Sequence, residues 1–250
     1  MKEIELKQFL EDLKSFIIDN KEHFTVMSAA SDEKYLIKLK NNMKGKTEFK
    51  TEAVNKAEIG SGVSNADRLK FLRDEKVNEC IKCRLSIARK KIVFGEGSPE
   101  SRLMFIGEAP GAEEDNTGRP FVGRAGQLLT KIIESIGLKR EEVYIANIIK
   151  CRPPENRNPL EDEINLCVPF LKEQISIIKP EIICTLGKFA TEFIIGKDKG
   201  AISSVRGKEF NYEGINVIPT YHPSYLLRNP GAKRETWEDM KKIRGLYFKN

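Results

Sequence analysis

Apolar positions along this chain follow two alternating spacings. Leu6, Phe9, Leu10, Leu13, Phe16 and Ile17 recur every three or four residues, the repeat of an amphipathic helix. From Asn41 to Asn65 the chain is polar, rich in Lys, Thr, Glu, Ser and Gly, and reads as a linker. After Ala66, the positions Leu69, Leu72 and Val77 mark a helix leading into Cys80. From there short apolar runs alternate with helical repeats. Strands are predicted at Leu103–Ile106, Val143–Ala146, Ile182–Leu186 and a run ending in Val217–Thr220. Helices are predicted over Ala125–Ile136, Glu161–Ile178, Lys188–Ile195 and Glu235–Leu246. In the first of these, Leu128, Leu129, Ile132, Ile133 and Ile136 share one face. Strand and helix in alternation predict an α/β fold: a three-layer sandwich whose central, mainly parallel sheet is flanked by helices. The division falls near residue 75. Residues 1–74 form an N-terminal extension, a helical start followed by a flexible polar linker, and residues 75–250 form the domain.

Composition narrows the class of partner. The chain has 250 residues, of which 40% are hydrophobic and 32% charged, enough for one sizeable core. A net charge of +6 favours a polyanion over an acidic small molecule. No apolar run follows a basic start, and no stretch of about 18 apolar residues occurs, so neither a signal peptide nor a membrane span is expected. Five cysteines in so long and charged a chain do not suit a secreted disulfide framework, and the reducing cytoplasm is the expected setting.

The candidate chemistry lies at the predicted strand ends. In open parallel sheets, ligands bind beyond the carboxyl ends of the strands, and Glu108, Asn147 and His222 all fall there. Glu108 sits in Gly107-Glu108-Ala109-Pro110-Gly111, a tight turn that fixes a carboxylate. Phe121 follows in Gly118-Arg119-Pro120-Phe121-Val122-Gly123, an aromatic on a glycine-rich loop placed to stack on a planar ligand. Asn147 is an amide among apolar strand residues and carries both donors and an acceptor. His222 is the one histidine outside the extension, where the other, His23, lies. Tyr225, Leu226, Leu227 and Arg228 follow it, apolar residues beside a cation that suit a wedge between stacked bases. Cys80 and Cys83 form C-x-x-C, and Cys151 and Cys167 flank a proline-rich run. Four such thiolates accept either an iron–sulfur cluster or zinc. Arg84, Arg152 and Arg157 lie near them in sequence, where they can meet phosphates or simply water.

Taken together, the ordered motifs C-x-x-C, Val93-Phe94-Gly95-Glu96-Gly97, G-E-A-P-G, G-R-P-F-V-G-R-A-G, N-I-I-K-C-R-P-P, Cys167 and H-P-S-Y-L-L-R resemble the iron–sulfur uracil-DNA glycosylases, family 4 of their superfamily. The resemblance runs from about Leu69 to Tyr247. It implies a [4Fe–4S] cluster on Cys80, Cys83, Cys151 and Cys167, leaving Cys184 as an odd thiol in a strand. It implies uracil-containing DNA, single- or double-stranded, as substrate, and a monomeric enzyme of base excision repair. Glu108 and His222 would be catalytic: Glu108 orients the attacking water, and His222 faces uracil O2. Gly111, Glu114, Phe121 and Asn147 would bind the base, with Phe121 stacking, Asn147 reading O4 and N3–H, and Glu114 helping to exclude the thymine methyl. Leu226 and Leu227 would intercalate. One departure stands out. Ala109 follows Glu108, where better-known uracil glycosylases carry an aspartate that activates water. No histidine lies near Asn156-Arg157-Asn158-Pro159, which disfavours the relatives that trap DNA on a histidine there. The competing readings are a non-catalytic cluster-bearing DNA-binding module or polymerase accessory, an electron-transfer protein, and a glycosylase for a wider set of deaminated bases. A docking role for residues 1–74 toward repair or replication partners has no motif behind it.

Overall fold

Six strands form one mixed sheet in the order β1-β3-β2-β4-β6-β5. They are β1 Glu96–Gly97, β2 Leu103–Gly107, β3 Tyr144–Asn147, β4 Ile182–Leu186, β5 Phe210–Tyr212 and β6 Ile215–Thr220. The four inner strands run parallel and the two edges antiparallel. The structure is a computed structural model that describes residues 63–249; the expected first helix, nearly all of the linker and His23 lie outside them. Among the described residues no helix is long and apolar enough to cross a membrane.

The strand period of two sorts side chains onto the two faces. Met104, Ile106, Tyr144, Ala146, Ile183 and Val217 face one core, with Leu171 and Ile175 of α5 (Glu161–Ile178) and Ala190 and Ile194 of α6 (Gly187–Ile195). Leu103, Phe105, Ile145, Ile182, Cys184 and Ile218 face the other, with Leu129 and Ile133 of α4 (Arg124–Ser135) and Met240 and Ile243 of α9 (Lys233–Tyr247). These two faces give the three expected layers, and each inner strand lies within two residues of its expected position. The helix expected before Cys80 is α1 (Asn65–Phe71), which runs on as a π-helical turn, Leu72–Val77. Its Leu69, Leu72 and Val77 are buried in the first core, so this core draws on residues before position 75.

The edges follow from other physics. β5 and β6 form a hairpin through Glu213 and Gly214, at φ +50° and +89°, the left-handed pair a two-residue turn requires. With three residues in β5 and two in β1, neither edge carries an apolar run. The short helices α2 (Leu85–Ala88), α3 (Ala112–Thr117), α7 (Ile202–Val205) and α8 (Pro223–Arg228) lie in the connections.

Candidate active site

The parallel register brings the strand ends level. Gly107 pairs with Asn147 at the carboxyl ends of β2 and β3. Backbone bonds continue beyond them, from Ile148 N to the Gly107 carbonyl at 3.0 Å and from Ile149 N to the Glu108 carbonyl at 3.2 Å. Over these ends opens a cleft of about 510 Å³. Glu108, Gly111, Glu114, Phe121, Asn147 and His222 all line it.

Phe121 is 6% exposed and sits at φ +50°, a conformation that costs a residue with a Cβ roughly 1–2 kcal/mol. Two glycines make room for it. A Cβ on Gly126 would run into the Phe121 backbone carbonyl, and one on Gly107 into both the Phe121 ring and Asn147 Oδ1. Glu114 fixes the loop. Its carboxylate accepts from Gly111 N at 3.1 Å, Val122 N at 2.9 Å and Gly123 N at 3.0 Å, joining the Gly111 turn to the far side of Phe121.

Asn147 is 1% exposed, and its Oδ1 is buried without a hydrogen-bond partner. Leaving such an acceptor unpaired costs about 1–3 kcal/mol, which an N–H donor reaching it from the cleft would relieve. The Glu108 carboxylate makes no hydrogen bond among the described residues, and burial pushes it up to about 7. His222 caps α8. Its Nδ1 accepts from Ser224 N at 3.2 Å and lies 2.6 Å from Ser224 Oγ. Burial first, then the nearby Arg228, lowers the imidazole to about 4, against an opposing pull from Glu114. The ring is therefore neutral at pH 7. With Nδ1 accepting, its proton sits on Nε2, free to donate. The Phe121 and His222 rings lie 5.7 Å apart at 38°.

The segment after His222 departs from expectation. It is helix α8, and Leu226 is 1% exposed. Leu226 borders a groove with Leu128, Ile132 and Met240, so it anchors α8 to the helices behind it and cannot serve as a wedge. The apolar alternation showed a hydrophobic segment without showing its helical phase, which turns one leucine in and the next out. Leu227 and Tyr225 are the exposed pair, at 37% and 38%. Of the arginines, Arg84 pairs with Asp162 at 2.8 Å, and Arg152 bonds Asn156 Oδ1 at 2.8 Å. Arg157 lines the cleft, held by a two-pronged pair with the buried Glu163 of α5. Sequence reasoning passed over Gly187, Lys188 and Phe189, which border the cleft where β4 turns into α6. The signal was a glycine directly after a buried strand. It has φ +83°, and a Cβ there would press on His222 Cβ.

Cys80, Cys83, Cys151 and Cys167 line a second, small cavity with the apolar Val77, Ile92, Leu166 and Phe170. Burial, reinforced by the neighbouring thiols, pushes Cys83 up to about 12, and burial does the same to Cys167. Such thiols ionise when a metal takes them. Two donors already aim at the sulfurs: Arg89 Nη1 at Cys151 Sγ and Lys150 N at Cys167 Sγ, both at 3.3 Å. The donor set thus fits a thiolate-bound metal group. Among the described residues no three His, Cys, Asp or Glu side chains form a group suited to a single metal ion. Cys184 sits in the core on the sheet's opposite face.

The fold and the cleft together define an α/β protein with a candidate active site at the carboxyl edge of its sheet. Comparison with known proteins gives its family. The profile of the Uracil DNA glycosylase superfamily matches residues 94–241. A type-4 uracil-DNA glycosylase of Sulfurisphaera tokodaii is 48% identical over 188 residues, 72% of this chain and 85% of that protein. One of Thermotoga maritima is 46% identical over 186 residues, 73% of this chain and 97% of the relative. One of Saccharolobus solfataricus is 47% identical over 186 residues, 71% and 86% of the two chains. The chain belongs to the uracil DNA glycosylase superfamily, and within it to the type-4 enzymes.

Proposed function

We propose the following division of labour for the excision of uracil from DNA. The chain is a hydrolytic DNA glycosylase: it cleaves the bond between uracil N1 and the sugar C1′ and leaves an abasic site. The orphaned Asn147 Oδ1 carries this reading. A flipped uracil supplies N3–H to that oxygen and presents O4 to the amide nitrogen. Cytosine presents an unprotonated N3 and an amino group, so both contacts are mismatched. Phe121 stacks on the ring, and Gly111 lines its entry. Glu114, fixed by three backbone N–H groups, stands where the methyl of thymine would intrude. As the glycosidic bond breaks, its electron pair moves into the uracil ring toward O2, and the sugar becomes oxocarbenium-like. The neutral His222 donates from Nε2 to O2. Glu108, as carboxylate, holds the water that adds to C1′ and stabilises the positive sugar; the water's proton passes to it. Leu227 fills the space the flipped base leaves, in uracil-containing DNA of either strandedness.

We assign a [4Fe–4S] cluster to Cys80, Cys83, Cys151 and Cys167. The four thiols line one small cavity, and four cysteine thiolates are the ligand set a cubane takes. When bound, it supplies iron–thiolate bonds that tie Cys80 and Cys83 to the segment after β3 and to α5. Through Glu163, which lies one turn before Cys167 on α5, it also steadies Arg157 at the cleft. The reducing cytoplasm suits this chemistry.

Two outcomes follow directly. Asn147→Asp exchanges a donor for an acceptor and weakens the uracil pairing by about 1–3 kcal/mol. The ratio of uracil to cytosine excision, measured in single turnover on matched oligonucleotides, falls by roughly 5- to 150-fold. An unchanged ratio removes Asn147 as the base reader. The pH profile has a defined direction. Because Glu108 acts ionised and is pushed up to about 7, excision rises with pH through about 7 and then levels. His222, lowered to about 4, is neutral throughout that rise and adds no inflection to it. Glu108→Gln flattens the rise, and a Gln variant that keeps the parental profile removes Glu108 from this role.

A further inference from the structure

Lys150 is 1% exposed and has no place in the chemistry above. Its backbone N–H points at Cys167 Sγ at 3.3 Å. Its Nζ donates to Gln174 Oε1 at 2.6 Å, and Gln174 lies two turns beyond Cys167 on α5. The same Nζ donates to the backbone carbonyl of Asn147 at 2.9 Å. Gln174 is held in turn, its Nε2 donating to the Phe94 carbonyl at 2.9 Å and to Tyr144 Oη at 3.1 Å. A buried ammonium is thus strung between the helix that carries one cysteine ligand and the backbone of the residue that meets the base.

The Asn147 Oδ1 has no hydrogen-bond partner to fix the carbonyl end of the side chain. Its aim is therefore inherited from the backbone, and the carbonyl at that point is held by Lys150. We propose that Lys150 is a positioning residue for base recognition: through its bond to the Asn147 carbonyl it transfers the placement of α5 and the cysteine lobe to the amide that reads uracil. The proposal rests on the reading of Asn147 as the uracil reader. It makes the cysteine lobe a part of base selection as well as a staple.

The test is a double-mutant cycle with Lys150→Met and Asn147→Ala, read by single-turnover excision of uracil and of cytosine. Lys150→Met lowers uracil excision about tenfold, the loss expected for one hydrogen bond to a charged donor. It also lowers the uracil-to-cytosine ratio. Iron content and affinity for uracil-free DNA match the parent. In the Asn147→Ala background the same substitution changes excision by less than about twofold, because the residue through which it acts is gone. A merely structural lysine would show equal losses in both backgrounds, and that result overturns the proposal. So does parental excision by Lys150→Met, or loss of its iron. Should Lys150→Met fail to fold, Gln174→Leu, which removes the second anchor of Nζ, is read through the same cycle with the same criteria. Asn147→Ala alone separates the two claims. If it excises and discriminates as the parent does, the reading of the uracil pocket fails. If it is impaired while Lys150→Met is silent, only the role of Lys150 fails.

Discussion

His222→Ala lowers single-turnover excision of uracil by at least about 10²-fold, the loss expected when one preorganised oxyanion donor is removed. The physical basis is the cap at α8. Ser224 N occupies Nδ1 at 3.2 Å, which leaves the proton on Nε2, and burial keeps the ring neutral. A neutral donor already in place strengthens its bond as charge builds on O2, and it needs no reorganisation during the reaction. Affinity for DNA without uracil stays near parental, because His222 meets only the flipped base. Iron content and fold also survive, since the ring lines the cleft while the four cysteines line a separate cavity. Excision at the parental rate would refute the mechanism. Loss of iron along with activity would make the histidine structural.

Cys151→Ser loses the cluster. Parent protein purified without oxygen is brown, absorbs broadly in the visible, and carries about four irons per chain, as a four-cysteine cubane requires. Cys151 lies in the cysteine cavity with Arg89 donating to its sulfur. A serine there replaces a soft thiolate with a hydroxyl that iron binds far less well. Cys184→Ser is the internal control. Cys184 is buried in β4 among the apolar residues of the opposite face, so this variant keeps its iron and loses only packing. Iron and absorbance per chain, measured on both variants prepared anaerobically, check the pair. Stoichiometric zinc without iron in the parent, or iron retained by Cys151→Ser, would contradict the assignment.

Much of this architecture was legible in the chain, for identifiable reasons. β2 and β4 are buried along their whole length, so each is a largely apolar run, Leu103–Ile106 and Ile182–Leu186, that no solvent-facing strand would carry. Glu108, Asn147 and His222 could be placed because each interrupts or directly follows such a run. The edges were not legible: β5 is held by hairpin pairing and a left-handed turn, which leaves no hydrophobic repeat. Leu226 shows the same limit in the site. Its burial is decided by contact with α4 and α9, distant in sequence, and two adjacent leucines do not say which of them turns inward. Lys150 was hidden for a different reason. A lysine in an apolar run reads as an edge or a surface. Only the tertiary structure supplies its two acceptors, one of them 24 positions away.

The most direct measurement is excision itself. The purified chain is incubated with an oligonucleotide carrying one uracil, alongside matched thymine and cytosine strands, and then treated with alkali to cleave at abasic sites. Cleavage at the uracil position alone, abolished by prior removal of the protein and reduced at least about 10²-fold by His222→Ala, is the predicted result. Intact uracil strands after prolonged incubation with iron-loaded protein, at pH values above the Glu108 transition near 7, would contradict the account at its centre.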